Sequence, residues 1–226
     1  MSRPAVPKAN GTVAAGEGTP VCRTAAHPSP APEIGQLGMW IFIGTELLFF
    51  GGLLFAYLYG RTHWPQGFGA ASSHTDVVLG TINTGLLLTS SAVVAFALAC
   101  TEHIAHRRWT ARLLCLTAAL GLVFLAIKGI EYRKEWHEHL FPGRGFALAD
   151  IGGAELFFWL YFVMTGLHAL HLVIGIAGVA ALAWGAGRGR PWAAARHIEP
   201  MALYWHFVDV IWVFLYPILY LVERHA

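Results

Sequence analysis

The sequence predicts an all-α, polytopic bundle of about five transmembrane helices, on three observations. Hydrophobic residues fill 56% of the 226 positions and charged residues only 12%, about half the roughly 25% charge of a soluble domain. Five apolar segments, 37–59, 77–100, 113–130, 154–184 and 201–222, are each close to or above the ~20 residues that cross about 30 Å of hydrocarbon at about 1.5 Å per residue. None alternates with period two, and lipid leaves backbone polar groups to be satisfied within the segment, which selects helices over barrel strands.

Residues 1–35 precede these segments as a separate regime. They are rich in Pro, Ala and Gly and contain no apolar run, so they read as a disordered tail that cannot bury a core. Arg3 and Lys8 are placed like the basic start of a signal peptide, but no hydrophobic stretch follows, and the tail is expected to be retained. A docking arm is its alternative role. The helical domain spans 36–226.

The first segment, in GMWIFIGTELLFF, carries Glu46 near its middle. An ionised carboxylate at that depth costs several kcal/mol. Glu46 is therefore expected either to tie two helices together as a hydrogen-bonded acid or to serve as a proton-linked or lipid-linked group. The second segment offers small and polar residues for close packing: Gly80 and Thr84 at i and i+4, and Asn83 and Ser90 seven apart. The third ends in KGIEYRKEW, where Lys128 and Glu131 form an i, i+3 pair and the lysine is expected to snorkel toward the interface. His137 and His139 of WHEHLF are expected in a loop facing water.

The fourth segment is longer than a crossing requires, so it must tilt or project. In FVMTGLHALHLVIG it carries Thr165, His168 and His171, followed by Gly175 and Gly178. His168 and His171, three apart, could present two imidazoles on one face, but two histidines do not complete a metal site; interhelical hydrogen bonding is the expected role. The fifth, in YWHFVDVIWVFLYP, places His206 and Asp209 three apart on one helix face, where each would lower the other's burial cost. Pro217 frees the carbonyl of Val213, which predicts a kink.

Charge placement gives an orientation. A cytoplasmic N-terminus puts nine Lys and Arg inside (Arg3, Lys8, Arg23, Arg107, Arg108, Arg112, Arg188, Arg190 and Arg196) and six outside. The C-terminus would then be periplasmic. Arg188, Arg190 and Arg196 fall on a short inner connection, within reach of lipid phosphates. A net charge of +2 argues against a nucleic-acid partner. Three scattered cysteines, Cys22, Cys100 and Cys115, form no C-x-x-C pair, so no disulfide framework, thiolate metal site or haem attachment is expected.

Four ordered blocks carry a resemblance: GTELLFF, INTGLLLTSS, FVMTGLHALHLVIG and, most specifically, WHFVDVIWVFLY over 205–216. Together they resemble subunit III of the haem–copper oxidases, cytochrome c and quinol oxidases alike, over about 38–220. The resemblance implies an all-helical subunit without a redox centre of its own. It packs on catalytic subunit I beside subunit II, whose haem and copper lie outside this chain. It binds phospholipid, supports proton uptake and aerobic electron transport, and protects the complex from turnover inactivation in the bacterial plasma membrane. By motif, Glu46 is the family glutamate; His168, His171, His206 and Asp209 are its buried polar set, and Glu131 belongs to its Glu-Tyr pair. Five helices correspond to short bacterial forms lacking two N-terminal helices. Lys128 in KGIEY and Pro217 in LYPILY look closer to the branch associated with bacterial nitric oxide reductases, so an accessory subunit of such an enzyme is the alternative.

A proton-coupled transporter using Glu46 and Asp209 is the competing class. No internal repeat and no matching pair of broken helices supports it.

Overall fold

The computed structural model describes residues 34–100, 107–143, 145–190, 193 and 195–221, without the side chains of 34–36, 107, 195 and 196. The 1–35 tail thus falls almost entirely outside the described residues. What is described forms one compact unit beginning at Ile34.

Six helices follow in order: α1 (Ile34–His63), α2 (Pro65–Ser72), α3 (Val77–Ala99), α4 (Arg107–His137), α5 (Ala154–Arg188) and α6 (Ala195–Tyr216). A π-helical segment, Pro217–Leu221, completes the fold. Five of the helices are long and apolar enough to cross a bilayer, so the chain is a multi-pass membrane protein. The short α2 lies between the first two crossings and starts on Pro65, whose fixed φ suits a first helical position. Asp76 caps α3 by accepting from the backbone N–H groups of Val78 and Leu79, which otherwise lack intrahelical partners.

α3 packs along α4, α4 along α5, and α6 against α3 and α5, while α1 rests on α5, α6 and α2. Small residues set the closest approaches. Gly121 of α4 faces Ile176 and Trp205, Gly175 of α5 faces Trp205 and Tyr204, Gly178 faces Met201, and Gly80 of α3 faces Tyr216 and Tyr220. A tight elbow holds α2 to the start of α5. Gly153 there has φ +92°, and a side chain on it would run into Trp64; only glycine takes that backbone conformation without strain.

Hydrogen bonds fix α3 against α6 in antiparallel register. Thr81 pairs with Tyr216 at 2.6 Å and Thr84 accepts from the Trp212 indole at 3.1 Å. Ser90 accepts from the Trp205 indole at 3.0 Å and Ser91 pairs with His206 Nδ1 at 2.6 Å.

Two expectations need correction here. α4 runs to His137, about two turns past Ile130, so His137 ends a helix and only His139 lies in the connection, at φ 54°. Lys128 accordingly does not snorkel; it is 4% exposed and directed into the bundle. At Pro217, where the sequence predicts a kink, α6 gives way to the π-helical segment, one of the ways a chain absorbs a lost i→i−4 bond.

Candidate functional site

Glu46 and His171 meet across α1 and α5. Glu46 Oε2 lies 3.3 Å from His171 Nε2, with the two side chains 20% and 13% exposed. On α1, Phe42 and Phe50 sit one turn either side of Glu46, and both rings pack against His171. His171 Nδ1 lies 2.8 Å from the Leu167 carbonyl. A carbonyl only accepts, so Nδ1 carries a proton. Nε2 is the ring atom turned to the carboxyl group. Tyr204 steadies the same turn by donating to the His171 carbonyl at 2.9 Å.

His168 takes a different environment. It is buried between Phe124 and Trp212, whose ring centres lie 5.7 and 5.1 Å away, and its Nε2 has no hydrogen-bond partner. The two histidines therefore do not act on one ligand. Among the described residues no group of three or more His, Cys, Asp or Glu is arranged to hold a metal.

The expected His206–Asp209 pair does not form. His206 bonds across to Ser91 instead. Asp209, 3% exposed, makes no hydrogen bond of ordinary geometry, and the Ser91 hydroxyl is the polar group beside it. Shared helix face brought the two residues near, but the α3 hydroxyl offered His206 the better-directed partner.

Lys128 and Glu131 do pair, at 3.0 Å, inside a closed polar ring. The ammonium donates to Glu131 Oε2, to the Tyr161 hydroxyl at 2.9 Å and to the Tyr220 hydroxyl at 2.6 Å. Both tyrosines donate to Glu131 Oε1, at 3.0 and 2.6 Å. The three protons of an ammonium and the one on each phenol are all used. Four aromatic rings, of Tyr132, Tyr161, Trp212 and Tyr220, surround the ammonium at 4.8–5.5 Å, which favours the cation in a desolvated site.

Sequence reasoning singled out neither Tyr161, Tyr220 nor Glu135. A signal existed: the buried stripe of α4, through Thr110, Leu114, Thr117, Gly121 and Phe124, continues through Lys128, Glu131 and Glu135. Following the 3.6-residue period past Ile130 would have put all three inside.

At the opposite end of α4 and α5, cations stack on interfacial rings. Arg188 Cζ lies 4.2 Å and Arg190 Cζ 6.0 Å from the Trp184 ring centre, and Arg112 lies 5.4 Å from that of Trp109. Gly187 of α5 faces Ala111 of α4, so both groups share one end of the bundle. The Arg196 side chain lies outside the described residues.

Comparison with known proteins decides the family. The model of cytochrome c oxidase subunit III matches residues 24–223. The chain belongs to that family. It is 33% identical to a cytochrome c oxidase subunit 3 of Thermostichus vulcanus over 92% of this chain and 96% of that one. It is 31% identical to the Bacillus subtilis subunit 3, covering 82% of this chain and 84% of the relative. A heme-copper oxidase subunit I+III of Aeropyrum pernix is 30% identical over 86% of this chain and 23% of that longer protein. In this subunit III, Glu46 of α1 meets His171 of α5.

Proposed function

We propose that this subunit contributes endurance and proton supply to a haem–copper oxidase of the cytochrome c oxidase type, and carries out no electron transfer itself. The observation that supports this reading is the Glu46–His171 pair, which brings a carboxyl group and an imidazole within 3.3 Å of each other between two apolar helices. Catalytic subunit I, with subunit II, is the partner; the I+III protein of Aeropyrum pernix, whose name joins the two subunits in one chain, favours direct contact. Haem and copper would belong to that partner.

Glu46→Gln keeps shape and most hydrogen bonding but removes the acid. The complex should assemble normally, begin at the ordinary rate and lose activity several-fold sooner over many turnovers. Deleting the whole subunit should leave initial electron transfer intact and shorten working life further. Loss of initial turnover in a fully metallated catalytic subunit would refute the reading. An accessory role in a bacterial nitric oxide reductase, favoured by Lys128 and Pro217, is the second reading, and the proteins that copurify in mild detergent distinguish the two.

Phospholipid is the proposed ligand of the basic end. Arg188, Arg190 and Arg196 each add about 1 kcal/mol of attraction to anionic headgroups at an interface. Neutralising all three should cut the anionic lipid retained through purification several-fold by mass spectrometry; unchanged retention would rule these residues out. The same end is proposed to face the cytoplasm, with the chain in a bacterial plasma membrane. A reporter active only outside the cytoplasm should then work after Ala226 and fail before Leu37.

A further inference from the structure

One turn beyond Glu131, at the end of the bundle that carries the α4–α5 connection, Glu135 is 3% exposed and its carboxyl oxygens make no hydrogen bond of ordinary geometry, the Tyr161 hydroxyl being the polar group beside them. The chain folds back over it: the Leu140 N–H donates to the Glu135 carbonyl at 3.0 Å, and Leu140 and Phe146 of the connection are buried. The charged and titratable groups facing Glu135 are Lys128, Glu131 and Tyr132 on α4, Glu138 just past its end, Tyr161 on α5 and Tyr220 in the π-helical segment. Lys128 is the one cation among them, and its three protons are already directed at Glu131, Tyr161 and Tyr220. Lys128 and Glu131 cancel. A second buried carboxylate would leave the cluster with uncompensated charge, a cost of several kcal/mol that binding a proton removes.

We propose that Glu135 is a buried proton-binding site, whose proton exchanges with the adjoining aqueous phase at exposed Glu138 while Lys128 and Glu131 remain an ion pair. The site is distinct from Glu46 on α1 and His171 on α5. Its chemistry is one proton on and off a carboxyl group. Tyr161 stands beside Glu135 and bonds both members of the ion pair, so a change of charge at Glu135 is felt directly by the ring.

Infrared spectroscopy of the purified complex in lipid vesicles tests this without reference to activity. A carboxylic acid has a C=O stretch that a carboxylate lacks and that moves down on exchange into D2O. Glu135→Gln should remove one such band from the wild-type spectrum, while Glu46→Gln and Asp209→Asn leave that band in place. If the glutamine variant fails to accumulate, Glu135→Asp should keep the band at a shifted position. Glu131→Gln should abolish it although Glu135 is intact, because Glu135 becomes the counter-ion of Lys128. Glu138→Gln should slow H/D exchange of the band several-fold. A wild-type band that survives Glu135→Gln, stands unmoved in Glu135→Asp or persists in Glu131→Gln would overturn the assignment, and unchanged exchange in Glu138→Gln would overturn the route.

Discussion

Replacing Lys128 with Met should destabilise the subunit by about 3–5 kcal/mol, because it leaves the buried Glu131 carboxylate without its cation. Glu131 would keep only the two tyrosine hydroxyls. The double variant Lys128→Met, Glu131→Gln should recover most of that loss, since no net charge then remains in the ring. Glu131→Gln alone should be milder than Lys128→Met, because Glu135 stands ready as a second acid near the lysine. The temperature at which the detergent-solubilised complex releases this subunit measures all three. Equal losses in the single and double variants would mean that the ring contributes by packing alone.

The second large effect is expected at the elbow between α2 and α5. Gly153→Ala must hold an alanine at φ +92° and also drive its Cβ into Trp64. Gly145→Ala is the control: its φ is +87°, but nothing lies within 4 Å of the added carbon. The left-handed conformation costs each variant about 1–2 kcal/mol. Overpacking adds a further 1–3 kcal/mol or so at Gly153 only. Gly67→Ala should behave like Gly153→Ala without the backbone strain, because its Cβ would strike the Gly152 carbonyl oxygen. Release temperatures falling in the order Gly145→Ala, then Gly153→Ala, would bear this out; identical values would place the whole effect in the backbone.

The crossings and the family were legible because each rests on local pattern. Length and apolarity mark a span, and four motifs in order mark the family. Glu46 and His171 were each visible as costly groups, yet their pairing was not. Their separation in sequence carries no information about how α1 leans on α5. His206 and Asp209 show the reverse error: i, i+3 spacing suggested a bond, and a hydroxyl on another helix took it. Lys128 was misread through a helix boundary. Ending the third crossing at Ile130 put the lysine at the interface; the two further turns put it in the interior with Glu131 and Glu135. Pro217 opens the π-helical segment that presents Tyr220 to the Lys128 ammonium, so both residues serve one contact.

The rungs between α3 and α6 restrict how the subunit can move. Thr81, Thr84, Ser90 and Ser91 meet Tyr216, Trp212, Trp205 and His206 at a common register. Sliding either helix by one turn would separate every hydroxyl from its ring at once, within hydrocarbon that offers no replacement partners. Shear between these helices is thereby closed off as a response to a neighbour. A displacement imposed on α6 by an adjoining subunit must carry α3 with it as one rigid blade, leaving the more lightly held α1 to take up the difference.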